Sequence, residues 1–319
     1  MVPRPAVVVV GSLNMDFVVQ VDHLPTPGET VLGYSFQTIP GGKGANQAFA
    51  AGRLGSGTVD VRMAGRVGRD VFADQLKASL TAAGVDVTAV EASSNLPTGV
   101  ALIWVDSVGQ NSIVVASGAN HDFPAAEVES LRSVFRGARL ALFQLETPLA
   151  TVEAALLLAR SEGLVTILDP APAQILPPSL LRAVDVLTPN ESEALILLGR
   201  PAARLSMAEA PSLAAALRER GPRTVILKLG DQGCLVDDEE GSRHFPAFSV
   251  EVRDTTAAGD TFNAALAVAL AEGASMDQSV ALANAAAAIS VSRVGAQTSA
   301  PTRAEVEDLL RGGSPRASF

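Results

Sequence analysis

The sequence predicts an α/β protein: a mostly parallel sheet in a three-layer α/β/α arrangement, with a small separate β-sheet. Three observations predict it. From Asn120 onward apolar runs alternate with helical segments: RLALFQLE, PLATVEAALLLARSEG, VTILDPAP, VDVLTPN, ESEALILLG, APSLAAALRERG and TVILKLG. Strands separated by helices pair in parallel and need cover on both faces. Second, two pairs of strands have no helix between them. FVVQV and TVLGYSFQTI flank the turn HLPTPGE, and TGVALIWVD and NSIVVAS flank SVGQ. Both pairs are assigned to a sheet of their own. Third, the turns GSLNMD, GGKGAN, QLE, TPNESE, KLGDQG and DTTAAGD all follow strands or precede helices. In α/β proteins ligands bind beyond the carboxyl ends of the strands.

The elements follow in order. MVPRPAVVVVGS is too short for a signal sequence or a bilayer span and reads as a buried strand. GGKGANQAFAAGRLG is a glycine-rich turn running into a helix, VDVRMAGRVG a strand, and DVFADQLKASLTAAG an amphipathic helix. EVESLRSVFRGA reads as a helix before the alternation given above. CLVDD and RHFPAFSVEVR read as strands, the second delivering the chain to DTTAAGD. The helices NAALAVALAEG, SMDQSVALANAAAAISVSR and TRAEVEDLLRG close the chain, and the tail RGGSPRASF is expected to fray.

Composition excludes some functions. The chain has 319 residues, 48% hydrophobic and 18% charged, so it is globular. A net charge of -10 argues against a nucleic-acid binder, yet a local cradle of N–H groups still suits a nucleotide. The single cysteine, Cys234, rules out an internal disulfide and suits a cytoplasmic protein. It reads as a small core residue.

The most informative stretch is DTTAAGDTFN, Asp254 to Asn263. Small residues there let a ligand approach the backbone, and the helix that follows offers unpaired N–H groups and a positive dipole end. That is an anion site suited to phosphate. Asp260 stands beside it, either as a helix cap or as the base for an attacking hydroxyl in phosphoryl transfer. Asn14 and Asp16 follow the first strand and suit the hydroxyls of a polyol, or form an Asx turn. In GGKGAN, Gly42 and Gly44 allow close backbone approach, with Lys43 and Asn46 at a helix mouth, or form a plain helix-entry turn with a solvated Lys; the spacing is not that of a Walker loop. Glu146 follows an apolar strand and faces the crevice or caps the next helix. Asn190 and Glu193 share a helix face and suit phosphate and hydrated Mg2+, or form a capping box. Lys228 to Gly233, KLGDQG, could border a nucleotide. Asp254 precedes the anion turn and could bind a cation with the loop Ser290 to Ser299, or bond the turn's N–H groups, or pair with Arg293. No GxGxxG follows the first strand, which counts against a dinucleotide oxidoreductase.

GSLNMD, PTPGET, GGKGANQA, TPNESE and DTTAAGDTFNAAL, in that order, resemble the ribokinase family of carbohydrate kinases, of the phosphofructokinase-B type. The resemblance runs from about Val7 to Arg303. It implies a Rossmann-like main domain (residues 1–15, 40–96 and 117–319) and a β lid (16–39 and 97–116) that also serves as a dimer clasp. It implies ATP-dependent phosphorylation of D-ribose at the 5-hydroxyl, with Asp260 as base and Ala257, Ala258 and Gly259 as anion hole. The sugar would meet Asn14, Asp16, Gly42, Lys43, Gly44, Asn46 and Glu146. Asn190, Lys228, Gly230, Asp231, Gly233, Gly259 and Asn284 would surround the nucleotide, with Glu193 acting indirectly on Mg2+. K+ would bind at Asp254, Thr256, Ser290, Arg293, Gly295 and Ser299. Two positions depart from the family pattern: Thr or Ser is common where Lys228 stands, and His where Asn284 stands. A kinase of deoxyribose, fructose or adenosine, or a silent sugar-binding protein on the same fold, are the alternatives.

Overall fold

Val7 and Val9 of the first strand enter one hydrophobic core, and Val8 and Val10 enter a second core on the other side of the sheet. A strand buried on both faces needs a continuous apolar run, which AVVVV supplies. The structure is a computed structural model that describes residues 3–201 and 205–312, so most of the tail RGGSPRASF lies outside the described residues.

The strands are β1 (Ala6–Val10), β2 (Asn14–Gln20), β3 (Ser35–Gly41), β4 (Asp60–Val67), β5 (Val85–Ala92), β6 (Gly99–Val105), β7 (Asn111–Ala116), β8 (Leu140–Phe143), β9 (Val165–Leu168), β10 (Val186–Leu187), β11 (Thr224–Lys228), β12 (Cys234–Asp238) and β13 (Gly241–Phe245). The helices are α1 (Lys43–Leu54), α2 (Val71–Ala82), α3 (Arg132–Phe135), α4 (Leu149–Ser161), α5 (Pro178–Leu181), α6 (Glu191–Leu197), α7 (Ala210–Arg218), α8 (Ala258–Glu272), α9 (Met276–Val291) and α10 (Arg303–Leu310).

Nine strands form the large sheet in the order β13-β12-β11-β10-β9-β8-β1-β4-β5. All pairs are parallel except those of β12 with β11 and β13. Helices α1, α2, α8, α9 and α10 pack on one face and α3 to α7 on the other, giving the expected three layers. The chain leaves β1 toward β4 and β5, then returns to β8 on the other side of β1. That reversal makes a crevice between β1 and β8. The second sheet, β3-β2-β6-β7, joins the two strand pairs through a parallel β2–β6 ladder. Phe17 anchors it to the main body, edge-on to Phe72 of α2 at 5.4 Å and stacked on Phe36 at 5.9 Å. Phe36, Leu102, Ile113, Val114 and Val115 of its other strands are exposed, as is Tyr34 just before β3.

The structure differs from the sequence reading at four places. The strand expected in RHFPAFSVEVR ends at Phe245, and no strand runs on to Asp254. Pro246 has no N–H for a ladder. The alternation beyond it arises because Phe248 and Val250 pack on the core as an irregular extended segment. EVESLRSVFRGA is not one helix: its first part lies in a 3-10 segment, Ala125–Leu131, and only the short α3 follows. Its buried Val128 and Leu131 are three apart, which suits that tighter helix. The strand expected in TVLGYSFQTI starts only at Ser35. Strand β5 was not anticipated: it is an edge strand with most residues at least partly exposed.

Candidate active site

Five neighbouring strands, β11, β10, β9, β8 and β1, end at one crevice. Each is followed or ended by a polar residue: Lys228, Asn190, Asp169, Glu146 and Ser12. Strands lie about 4.8 Å apart, so this row spans roughly 19 Å, room for a sugar and a triphosphate end to end.

At the β1–β8 end, Ser12 Oγ donates to Glu146 Oε2 at 2.5 Å, and the Lys43 N–H donates to the same oxygen at 3.1 Å. Glu146 therefore faces the crevice and meets the opening turn of α1. Gly42 precedes that helix at φ 88°, and a Cβ there would meet the backbone of Leu13 and Asn14. Gly44 packs as tightly on Gly11 and Ser12. Gly41 leaves room for the Asp16 carboxylate. Asn14 is buried, and its Oδ1 accepts from Asn120 Nδ2 at 2.7 Å. Asn120 also bonds both backbone groups of Leu13, so it props the polyol-facing turn. Burial pushes the Asp16 carboxyl up to about 7, and Glu146 and Asp260 add to the rise.

Asp260 lies inside the first turn of α8, buried, with its carboxylate turned to α1 and not to the helix end. Its Oδ1 accepts from Gln47 Nε2 at 2.9 Å and its Oδ2 from Asn46 Nδ2 at 3.1 Å. It is therefore not a cap. Ala257, the residue before the helix, has φ 57° and ψ 16° and offers no side-chain acceptor. The left-handed region costs an L-residue roughly 1–2 kcal/mol. Here it turns the chain sharply: the Ala258 N–H donates to the Thr255 carbonyl at 3.3 Å, and the N–H groups that follow it in α8 are left open to an anion. Burial pushes the Asp260 carboxyl up to about 6; Asp169 adds to this, while Lys43, Gln47 and Asn46 restrain it. Burial works to lower the Lys43 ammonium, but Asp260, Asp169, Glu146 and Glu193 outweigh it and hold it protonated.

Between the two ends stands Asp169, unmarked in the sequence reading. It is buried, and it accepts from Gln47 Nε2 at 2.9 Å and from Lys228 Nζ at 3.0 Å. Gln144 Nε2 donates to Gln47 Oε1 at 2.6 Å, which fixes the Gln47 amide with its NH2 toward both carboxylates. No sequence motif marks Asp169, Gln47, Gln144, Ser12 or Asn120 as site residues. The available signal was a polar residue at the end of an apolar strand, as in VTILDPAP.

On the nucleotide side, Asn190 and Glu193 form the capping box: each side chain takes the other's backbone N–H at 2.8 Å. Burial raises the Glu193 carboxyl, with Lys228 opposing. Gly230 and Asp231 lie in an exposed 3-10 turn, and Gly233 closes it at φ 88°. Asn284 of α9 is buried and donates to the Phe245 and Pro246 carbonyls at 3.3 and 3.4 Å. Cys234 is a core residue, its thiol pushed up to about 12 by burial.

Asp254 and the loop after α9 lie together. Its oxygens accept the Thr256 and Gly295 N–H groups, each at 2.8 Å, and the Asp254 N–H reaches the Val291 carbonyl at 3.2 Å. The expected alternative pair with Arg293 is not formed: Arg293 pairs with Glu305 at 2.5 Å. Ser290 and Ser299 are buried with their hydroxyls 2.9 Å apart. A cavity of about 650 Å³ lined by Arg218, Arg243, Asp238 and Asp277 lies at the opposite end of β11 and contains none of these groups.

The family model of the pfkB family carbohydrate kinases matches residues 4–303. The chain is 44% identical to the ribokinase of Bacillus subtilis over 95% of this chain and 98% of that one. It is 41% identical to the ribokinase of Haemophilus influenzae over 96% and 99%. Among solved structures, Arabidopsis thaliana ribokinase complexed with ribose and ATP matches with a TM-score of 0.88 at 34% identity, covering 97% of this chain and 99% of that one. Ribokinase from Thermotoga maritima matches at 0.87 and 38%, covering 97% and 100%.

Proposed function

The chain belongs to the pfkB family of carbohydrate kinases, and from that premise we propose that it transfers the γ-phosphoryl group of ATP to the 5-hydroxyl of D-ribose. The observation that carries this reading is Asp260: a buried carboxylate held by two amides beside an uncapped, left-handed helix start. Binding alone requires no such base at an anion site, which argues against a silent sugar-binding protein.

Ribose would lie at the β1–β8 end, its secondary hydroxyls on Asn14, Asp16 and Glu146, and the backbone of Gly42, Lys43 and Gly44 beside it. Asn46 Oδ1 is buried without a hydrogen-bond partner and suits a sugar hydroxyl. Asp260 takes the proton of the 5-hydroxyl, whose oxygen attacks the γ-phosphorus in line. The Gly259 N–H, set by the turn at Ala257, holds the charge on the phosphoryl oxygens, joined by the Ala258 N–H once it leaves its 3.3 Å bond to the Thr255 carbonyl, with the Lys43 ammonium near. Asn190, Gly230, Asp231, Gly233 and Asn284 are proposed along the nucleotide, with Lys228 at its terminal phosphate.

Two ions complete the proposal. Mg2+ arriving with ATP would offset triphosphate charge, and Glu193, with Oε2 tied to the Asn190 N–H, is left to act on it through water. A K+ site fits the donors at Asp254, Thr256, Ser290, Gly295 and Ser299. Both Asp254 oxygens keep a lone pair after accepting one N–H each. Arg293, paired with Glu305, would serve through its carbonyl only. The small sheet is proposed as lid and, by its exposed apolar strands, as the contact of a cytoplasmic homodimer. None of the helices among the described residues is long and apolar enough to cross a membrane. The test is a coupled ADP-release assay with ribose, 2-deoxyribose, fructose and adenosine. Ribose is expected to give the highest kcat/KM; a higher value with another acceptor would transfer the assignment to it.

A further inference from the structure

We propose that Lys228 is a catalytic residue that contacts the transferring phosphoryl group, held in place by Asp169 and, through it, by Gln47. This deepens the kinase reading above and rests on it. Lys228 ends β11, where its N–H is fixed on the Pro189 carbonyl at 2.8 Å. Its ammonium lies 3.0 Å from Asp169 Oδ1 and is mostly enclosed, 15% exposed. The same ammonium lies 3.3 Å from the point where a Cβ on Gly259 would stand. It therefore sits directly over the anion-hole turn, not out along the nucleotide base.

Gln47 gives the arrangement its direction. One amide N–H goes to Asp169 Oδ2 and the other to Asp260 Oδ1, both at 2.9 Å. The base and the anchor of the cation are thus fixed to each other by one side chain, itself fixed by Gln144. Asp169 takes one donor of the Lys228 ammonium at 3.0 Å, and an ammonium has three, so donors remain for an anion. The ammonium nitrogen lies beside Gly259, next to the region that an anion on the α8 N–H groups would occupy.

In the step itself Asp260 accepts the proton of the 5-hydroxyl, the O5–P bond forms, and the bond from γ-phosphorus to the β,γ-bridging oxygen breaks. The electron pair of that bond leaves on the β-phosphate of ADP. Lys228 bonds the phosphoryl oxygens as this charge moves, while Asp169 keeps its hold on the ammonium. The contact is stronger in the transition state than in bound ATP, so it acts on turnover.

Removing Lys228 alone leaves a buried carboxylate unpaired, a strongly destabilising change. The test therefore uses the paired variant Asp169→Asn/Lys228→Thr, in which both charges go together, beside Asp169→Asn, which keeps the ammonium. Single-turnover rates with ribose and limiting ATP report the chemical step, and ADP affinity is measured on the same proteins. The paired variant is expected to lose about 10²-fold in the single-turnover rate, the scale of one oxyanion donor. ADP affinity should change by less than about threefold, and ADP–aluminium fluoride binding should weaken with the rate. Asp169→Asn should lose less than about tenfold. A paired variant within about threefold of wild type, or one whose loss lies wholly in nucleotide affinity, overturns the role of Lys228. A wild-type chain that phosphorylates none of the sugars overturns the kinase reading instead, so the two failures are distinguishable.

Discussion

The base that serves turnover should weaken the fold. Asp260 is buried, and its carboxyl is pushed from 3.8 up to about 6, burial being the main cause. A folded-state value above the unfolded one means the native state binds the proton more tightly. The stability this gives is fully present below pH 3.8 and is lost as pH rises through about 6. Replacing Asp260 by Asn removes the ionisation while keeping the shape. The new amide needs an acceptor where Asn46 Nδ2 now donates, and Asn46 Oδ1, buried and unpartnered, can supply it by an amide flip. Raising the value from 3.8 to about 6 corresponds to about 3 kcal/mol above pH 7. In a chain of 319 residues that is a gain of roughly 5 °C in Tm. The assay is thermal unfolding of both proteins without ligand from pH 5 to 8.5. Asp260→Asn should melt higher, by about half the full difference at pH 5 and all of it by pH 7. Superimposed melts at pH 8, or a less stable variant, would refute the reasoning.

Three further outcomes are expected. 2-Deoxyribose should be a poorer substrate than ribose, because each buried polar group it leaves unmet around Asn14 and Asp16 costs ~1–3 kcal/mol; equal kcat/KM values would exclude that pairing. Ile113→Lys with Val115→Lys should shift sedimentation toward the monomer by charging the exposed strand β7; a wild type already monomeric at micromolar concentration contradicts the dimer. At fixed ionic strength, replacing K+ by tetramethylammonium should lower turnover more than ribose affinity, and Asp254→Ala should abolish the K+ response; an unchanged rate sinks the cation site.

The fold class was legible because period and length carry it: alternating strands and helices dictate a parallel sheet, and strand pairs without helices dictate a second one. DTTAAGD was legible for a local reason, since small residues before an Ala-rich helix make an anion turn wherever they occur. The middle of the site was not. Asp169, Gln47 and Gln144 matter through the order β9-β8-β1 and the packing of α1 against α8, which place residues 97 to 213 apart in sequence within one hydrogen-bond chain. No single-stretch pattern contains that order. Asn190 and Glu193 show the converse, a spacing equally good for a cap and for a ligand pair, where the cap is formed. Residues 246–254 show that alternation reports which side is buried and not whether a partner strand exists.

The central claim is that this chain is an ATP-dependent ribose kinase with Asp260 as its base. The measurement is the ribose-dependent formation of ADP and ribose 5-phosphate by the wild type and Asp260→Asn, with ribose affinity determined for both. The account predicts equal amounts of the two products from the wild type. It predicts turnover lower by roughly two to four orders of magnitude in the variant, and ribose affinity far less changed. ADP formation indifferent to ribose, or a variant that keeps most of its turnover, would contradict it.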